Sequence, residues 1–149
     1  MQGFEDMHQA CLRAVATAAA TPRDRLIACG LTYVRFGLDN PKLLVHLFTS
    51  IAQAEVSDDL VQAGATLFGS LQQLVHEGQT QGAFRSGDTQ ALSHACWAMV
   101  HGLAALLSIQ PGMSAGRSPD RPDTDALMQS ARAALDLFLD SLTVPPARP

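Results

Sequence analysis

Thr21–Pro41 reads TPRDRLIACGLTYVRFGLDNP, and this segment starts and stops itself. Thr21 suits a helix N-cap, Pro22 suits the first helical position, where a missing N–H costs nothing, and Asp24 puts an acid in the first turn. Asp39-Asn40-Pro41 ends it, because proline disfavours helical geometry in the residue before it. Between these signals the apolar residues occupy more than one side. Leu26, Cys29 and Tyr33 lie on one face, and Ile27, Leu31, Val34 and Leu38 on another. A surface helix needs only one apolar stripe, so this helix requires neighbours on several sides. The rest of the chain is therefore expected to pack around it as a helical bundle.

Working outward, the flanks give helices of their own. Phe4, Met7, Cys11 and Val15 recur at helical spacing within a segment predicted from Gln2 to Ala20. Past Pro41, Leu44, Leu47, Phe48 and Ile51 mark the inner side of a short helix. Ser57-Asp58-Asp59 then caps a long one reaching about Gln81, with Leu60, Leu67, Leu71, Leu74 and Val75 as its stripe. GAFRSGD (82–88) reads as a turn-rich connector whose Asp88 caps a helix to about Ile109. That helix contains Cys96–Leu107, CWAMVHGLAALL, and is apolar around too much of its circumference for one small core. Residues 110–123, rich in Pro, Gly and Ser, read as a mobile loop. A last helix spans Thr124 to Leu142, and 144–149 read as a disordered tail. The expectation is one all-α domain over 1–143 with about six helices. Composition agrees: the chain is 47% hydrophobic, mostly alanine and leucine, which favour helix over sheet.

Charge and motifs exclude several classes of function. The net charge is −4, the cations are scattered, and no basic stripe is available to neutralise phosphates. Three widely spaced cysteines, Cys11, Cys29 and Cys96, and an N-terminus without a signal-peptide pattern point to a reduced, cytoplasmic protein. No uninterrupted apolar run reaches the ~18 residues of a membrane span. The histidines show neither HxxxH nor HExxH spacing, and there is no CxxC, so no metal is expected; His8 and Cys11 share a face but lack further ligands. There is no GxSxG, no phosphate-binding glycine loop and no paired carboxylates on an apolar face, so no catalytic residue and no cofactor are assigned. Cys96 falls on an apolar face, where a thiol is inert. What remains is a set of aromatics at inward positions, Tyr33, Phe36, Phe48, Phe68 and Trp97, with His101 among the few polar groups there. Apolar walls with a few polar groups describe a small-molecule pocket as well as a core.

Three stretches taken in order, LTYVRFGLDNPKLLVHL (31–47), GAFRSGDTQAL (82–92) and CWAMVHGLAALL (96–107), resemble the C-terminal regulatory domain of TetR-family transcriptional regulators. The resemblance is to the subgroup known for a Trp-His-Gly motif, here Trp97, His101 and Gly102, and covers about Phe4 to Leu142. It implies a ligand-sensing domain that dimerises by pairing its last two long helices in a four-helix bundle. On that reading Tyr33, Phe48, Phe68, Trp97 and His101 would contact an apolar or amphipathic small molecule. Leu103, Leu107, Leu135, Phe138 and Leu142 would form the homodimer interface, and Gly102 would let another helix approach closely. The family carries a helix-turn-helix ahead of this region, whereas Met1 already lies in what resembles the connecting helix. DNA binding is then expected only through that preceding domain, whose absence a late start codon, a fragment or a truncated gene would each explain. The alternative is a free-standing helical interaction module without a small-molecule site, able to pair with full-length relatives. A cavity of ligand size would favour the sensor, and a filled core the interaction module. A helical enzyme would require a titratable pair converging in a cleft, with His101 near Cys96 or an acid.

Overall fold

Both ends of the segment that opened the sequence are capped as its chemistry requires. The Thr21 hydroxyl accepts the Asp24 N–H at 3.1 Å. At the other end the Asn40 backbone and side-chain N–H groups both donate to the Phe36 carbonyl, at 2.9 and 3.0 Å. The computed structural model describes residues 2–51, 57–109 and 123–144. Within them lie six helices: α1 (Gln2–Thr17), α2 (Pro22–Asp39), α3 (Pro41–Ile51), α4 (Asp58–Thr80), α5 (Thr89–Ile109) and α6 (Thr124–Leu142). The Asp88 carboxylate takes the Gln90 N–H at 2.8 Å to start α5, and Asp123 takes the Ala126 N–H at 3.3 Å to start α6. α1 stops at Thr17 rather than Ala20. The alanines that follow favour helix, but the chain must turn before the Thr21 cap can form.

α2 is the axis of the fold and touches every other helix. Its buried residues are divided among three apolar clusters. Tyr33 joins Phe4, Met7, Cys11, Leu44 and Ala104; Leu26 and Ile27 join Val75, Phe84, Cys96, Leu139 and Leu142; Val34 joins Leu107 and Ala131. Its glycines set how near the neighbours come. A Cβ at Gly37 would sit 2.9 Å from the Ala104 Cβ, and one at Gly30 would meet Val100 and Leu135 at 3.1 and 3.2 Å. Both positions trade helix propensity for close contact between α2 and the α5–α6 pair.

The GAFRSGD connector is more structured than a turn. Phe84 is 2% exposed, and its ring lies against Gly78, where any side chain would collide with it. Phe84 also pairs with Thr143 in an isolated antiparallel bridge. Arg85 N–H donates to Leu142 O at 2.8 Å, and Val144 N–H to Ala83 O at 3.1 Å. Val144, expected in a disordered tail, is thus held by the α4–α5 connector. Residues 145–149 and the expected mobile loop at 110–122 lie outside the described residues. Among the described residues one stretch, Thr89–Ser108 of α5, is long and apolar enough to cross a membrane by length and composition, although polar residues interrupt it. It packs against α2, α4 and α6, yet only 22% of that stretch is buried within the chain.

Candidate functional site

Between α1, α2, α4, α5 and α6 lies a cavity of about 380 Å³. Each wall follows from a local pattern. α2 contributes Cys29 and Tyr33, four residues apart and so one turn apart on one face. α5 contributes His94, Cys96, Trp97 and Val100, and α6 contributes Leu135, Phe138 and Leu139. From α4 come Leu67, Phe68 and Leu71, together with Gly64, where an added Cβ would meet nothing within 4 Å. The space therefore opens where α4 lacks side-chain bulk. Among the described residues no Asp, Glu, Lys or Arg lines it. An ionic ligand would lose its hydration there without a counter-charge, so the cavity suits an uncharged apolar molecule.

The polar groups are tied together on one side. Tyr33 Oη lies 3.0 Å from His101 Nδ1, and the rings meet edge to face with centroids 6.2 Å apart. Burial pushes the Tyr33 hydroxyl up to about 12 and pushes His101 below its ordinary value, so both remain neutral at pH 7. Phe68 stacks on His94 with centroids 4.7 Å apart and is tilted against Trp97 at 5.7 Å. No acid is paired with a base or thiol in this lining. The partner of His101 is Tyr33, Cys96 is held protonated by burial with its thiol pushed up to about 12, and neither is set beside an acid in the cavity lining.

Of the five residues expected to contact ligand, Tyr33, Phe68 and Trp97 line the cavity. His101 stands behind Tyr33 and acts through it. Phe48 belongs to α3, but its side chain lies outside the described residues. The residues expected at a dimer interface also pack within the chain. Leu107, Leu135 and Leu142 are buried within the chain, Leu135 and Phe138 are cavity wall, and Leu103 is half-buried against the Val34 cluster. The most apolar stripe of α6 closes the chain's own core first, which leaves a different face outward. Gly102 has nothing within 4 Å of an added Cβ, so no helix of this chain approaches it. All three cysteines line the cavity, which the sequence reading missed. The available signal was positional: Cys29 one turn before Tyr33, and Cys96 beside Trp97. His8, set aside as a metal ligand, hydrogen-bonds Ser70 at 2.8 Å. Among the described residues no three metal-ligating side chains converge.

Residues 26–135 match the family described as tetracyclin repressor-like, C-terminal domain. Among solved structures, a protein of unknown function from Rhodococcus sp. RHA1 is similar, with a TM-score of 0.81 and 26% identity, over 96% of this chain and 69% of that one. None of the curated proteins matches.

Proposed function

The chain belongs to the tetracyclin repressor-like C-terminal domain family, and from that premise we propose that it is the ligand-sensing and dimerising part of a cytoplasmic transcriptional repressor of the Trp-His-Gly subgroup. The observation that carries the sensing role is the cavity: about 380 Å³, without a charged side chain in its lining. A filled core would have favoured a plain interaction module. The ligand is an uncharged, mainly apolar small molecule packed against Phe68 and Trp97, with Tyr33 as the nearest polar group.

In the full-length protein a helix-turn-helix ahead of α1 would contact the operator, and two copies would set their recognition helices about one DNA turn, ~34–36 Å, apart. α1 is the element able to couple the two sites, since its Phe4 and Cys11 line the cavity. A ligand that prefers one tilt of α1 lowers operator affinity by the difference in its own affinity for the two states, and such coupling is typically ~1–3 kcal/mol. The dimer rests on the outward faces of α5 and α6. Ala91, Ala95, Ala98, Gly102 and Leu106 follow one face of α5, and Ser130, Ala133, Leu137 and Ser141 one face of α6. Leu106 is 63% and Leu137 75% exposed, and the small residues between them let a second copy's helices come close.

The test is a titration with N-phenyl-1-naphthylamine, an uncharged apolar dye that fluoresces on leaving water. The wild-type chain should bind it saturably and quench Trp97, while Gly64→Phe, which fills the open side of the cavity, should not. Equal dye binding by a folded Gly64→Phe variant, or none by the wild type, rejects the sensor reading.

A further inference from the structure

The three cysteines come from three different helices, Cys11 from α1, Cys29 from α2 and Cys96 from α5, and all of them line the one cavity. All are free thiols. Their environments differ. Cys11 and Cys96 are buried, at 4% and 6% exposure, whereas Cys29 is half-buried. Cys11 Sγ donates to the Cys29 carbonyl at 3.7 Å, which holds the Cys11 thiol over the turn that carries Cys29. Cys29 is thus the most accessible of the three thiols. No cation lines the cavity to hold a standing thiolate or to draw in an anionic oxidant. The reagent that suits such a site is uncharged, apolar and soft.

We propose that the cavity is a covalent trap for apolar α,β-unsaturated carbonyl compounds, with Cys29, the most accessible of its three thiols, as the acceptor. In the reaction the Cys29 S–H bond breaks and a C–S bond forms at the β-carbon. The C=C double bond becomes single, and the thiol proton ends on the α-carbon. Nothing is oxidised or reduced, and no leaving group departs. The adduct stays in the cavity against α1, so the signal outlasts the free ligand. This inference rests on the cavity being a ligand pocket.

The probe is benzylideneacetone, compared with its saturated analogue benzylacetone, each added to the reduced wild-type chain after the reductant is removed. Intact mass and peptide mapping should show one enone adduct per chain, on Cys29. Cys29→Ser should slow labelling by about tenfold or more. The saturated ketone should quench Trp97 fluorescence reversibly and add no mass. Labelling spread evenly over the three cysteines, labelling no faster in the folded chain than in urea, or loss of two hydrogens as a Cys11–Cys29 disulfide in place of the adduct would each overturn the covalent trap. If the saturated ketone binds and the enone adds no mass, the trap fails while the pocket stands. If neither ketone perturbs Trp97, the pocket reading fails with it.

Discussion

His101 is placed so that its protonation state reports on the cavity wall. Its Nδ1 is hydrogen-bonded to the Tyr33 hydroxyl at 3.0 Å. Burial lowers its pKa in the folded chain, so the unfolded chain binds the proton more tightly. Stability is then complete above the unfolded value of about 6.5 and is lost as pH falls through the lowered folded value. Urea denaturation should give a lower midpoint at about pH 5.5 than at about pH 7.5, and His101→Phe should flatten that difference. A midpoint equally pH-dependent in both proteins would assign the titration elsewhere. Tyr33→Phe removes the hydroxyl that pairs with His101 Nδ1, at a cost of about 1–3 kcal/mol in the same assay. Gly64 makes the opposite case. An added Cβ there touches nothing, so Gly64→Ala should stabilise α4 by up to ~1 kcal/mol through helix propensity alone. A destabilised Gly64→Ala variant would mean that the helix needs the flexibility of glycine at that point.

At the scale of elements, the α4–α5 connector carries more of the fold than its composition announces. Phe84 fills the space against Gly78 and belongs to the cluster of Leu26, Val75, Leu139 and Leu142, so the connector clips α4 to the end of α6. Phe84→Ala should cost about 3–5 kcal/mol in urea denaturation, in the range for a large buried aromatic. A loss below about 1 kcal/mol would reduce the clip to a surface turn. Helices were legible in the sequence where their signals are local. Thr21-Pro22 and Asp88 mark starts that the structure reproduces to the residue or within one, because a cap is chemistry between neighbours in the chain. The bridge between Phe84 and Thr143 was not legible, because it joins residues from opposite ends of two helices. The candidate site divides in the same way. Periodicity found the inward aromatics Tyr33, Phe68 and Trp97. It said nothing about whether the facing helix fills the space before them, and Gly64, where α4 fails to do so, looked like one more small residue in a stripe.

For the whole molecule, apolar surface has to be assigned twice, first to the chain's own core and then to a partner. Leu107, Leu135 and Leu142 are used up in the first assignment, with 5%, 3% and 6% exposure. Arg23 helps to fix α6 in that packing, reaching Asp136 at 3.1 Å and Asp140 at 2.6 Å from the start of α2. What α5 and α6 have left outward is a band of small residues ending in Leu106 and Leu137, at 63% and 75% exposure. Water on that band costs free energy that the proposed second copy would recover, at roughly 25 cal/mol per Å² of apolar surface covered. Two kinds of substitution therefore separate the two assignments. Leu106→Glu with Leu137→Glu should give a monomer by light scattering, with unchanged helical circular dichroism and an intact dye-binding cavity, since neither side chain lines it. Leu135→Arg should instead destroy the fold, because a guanidinium would enter a closed apolar wall without a partner, and the helical signal should fall with the mass change. If the double glutamate variant remains a dimer while Leu135→Arg becomes a folded monomer, the two faces of α6 have been exchanged, and the inward stripe is the interface after all.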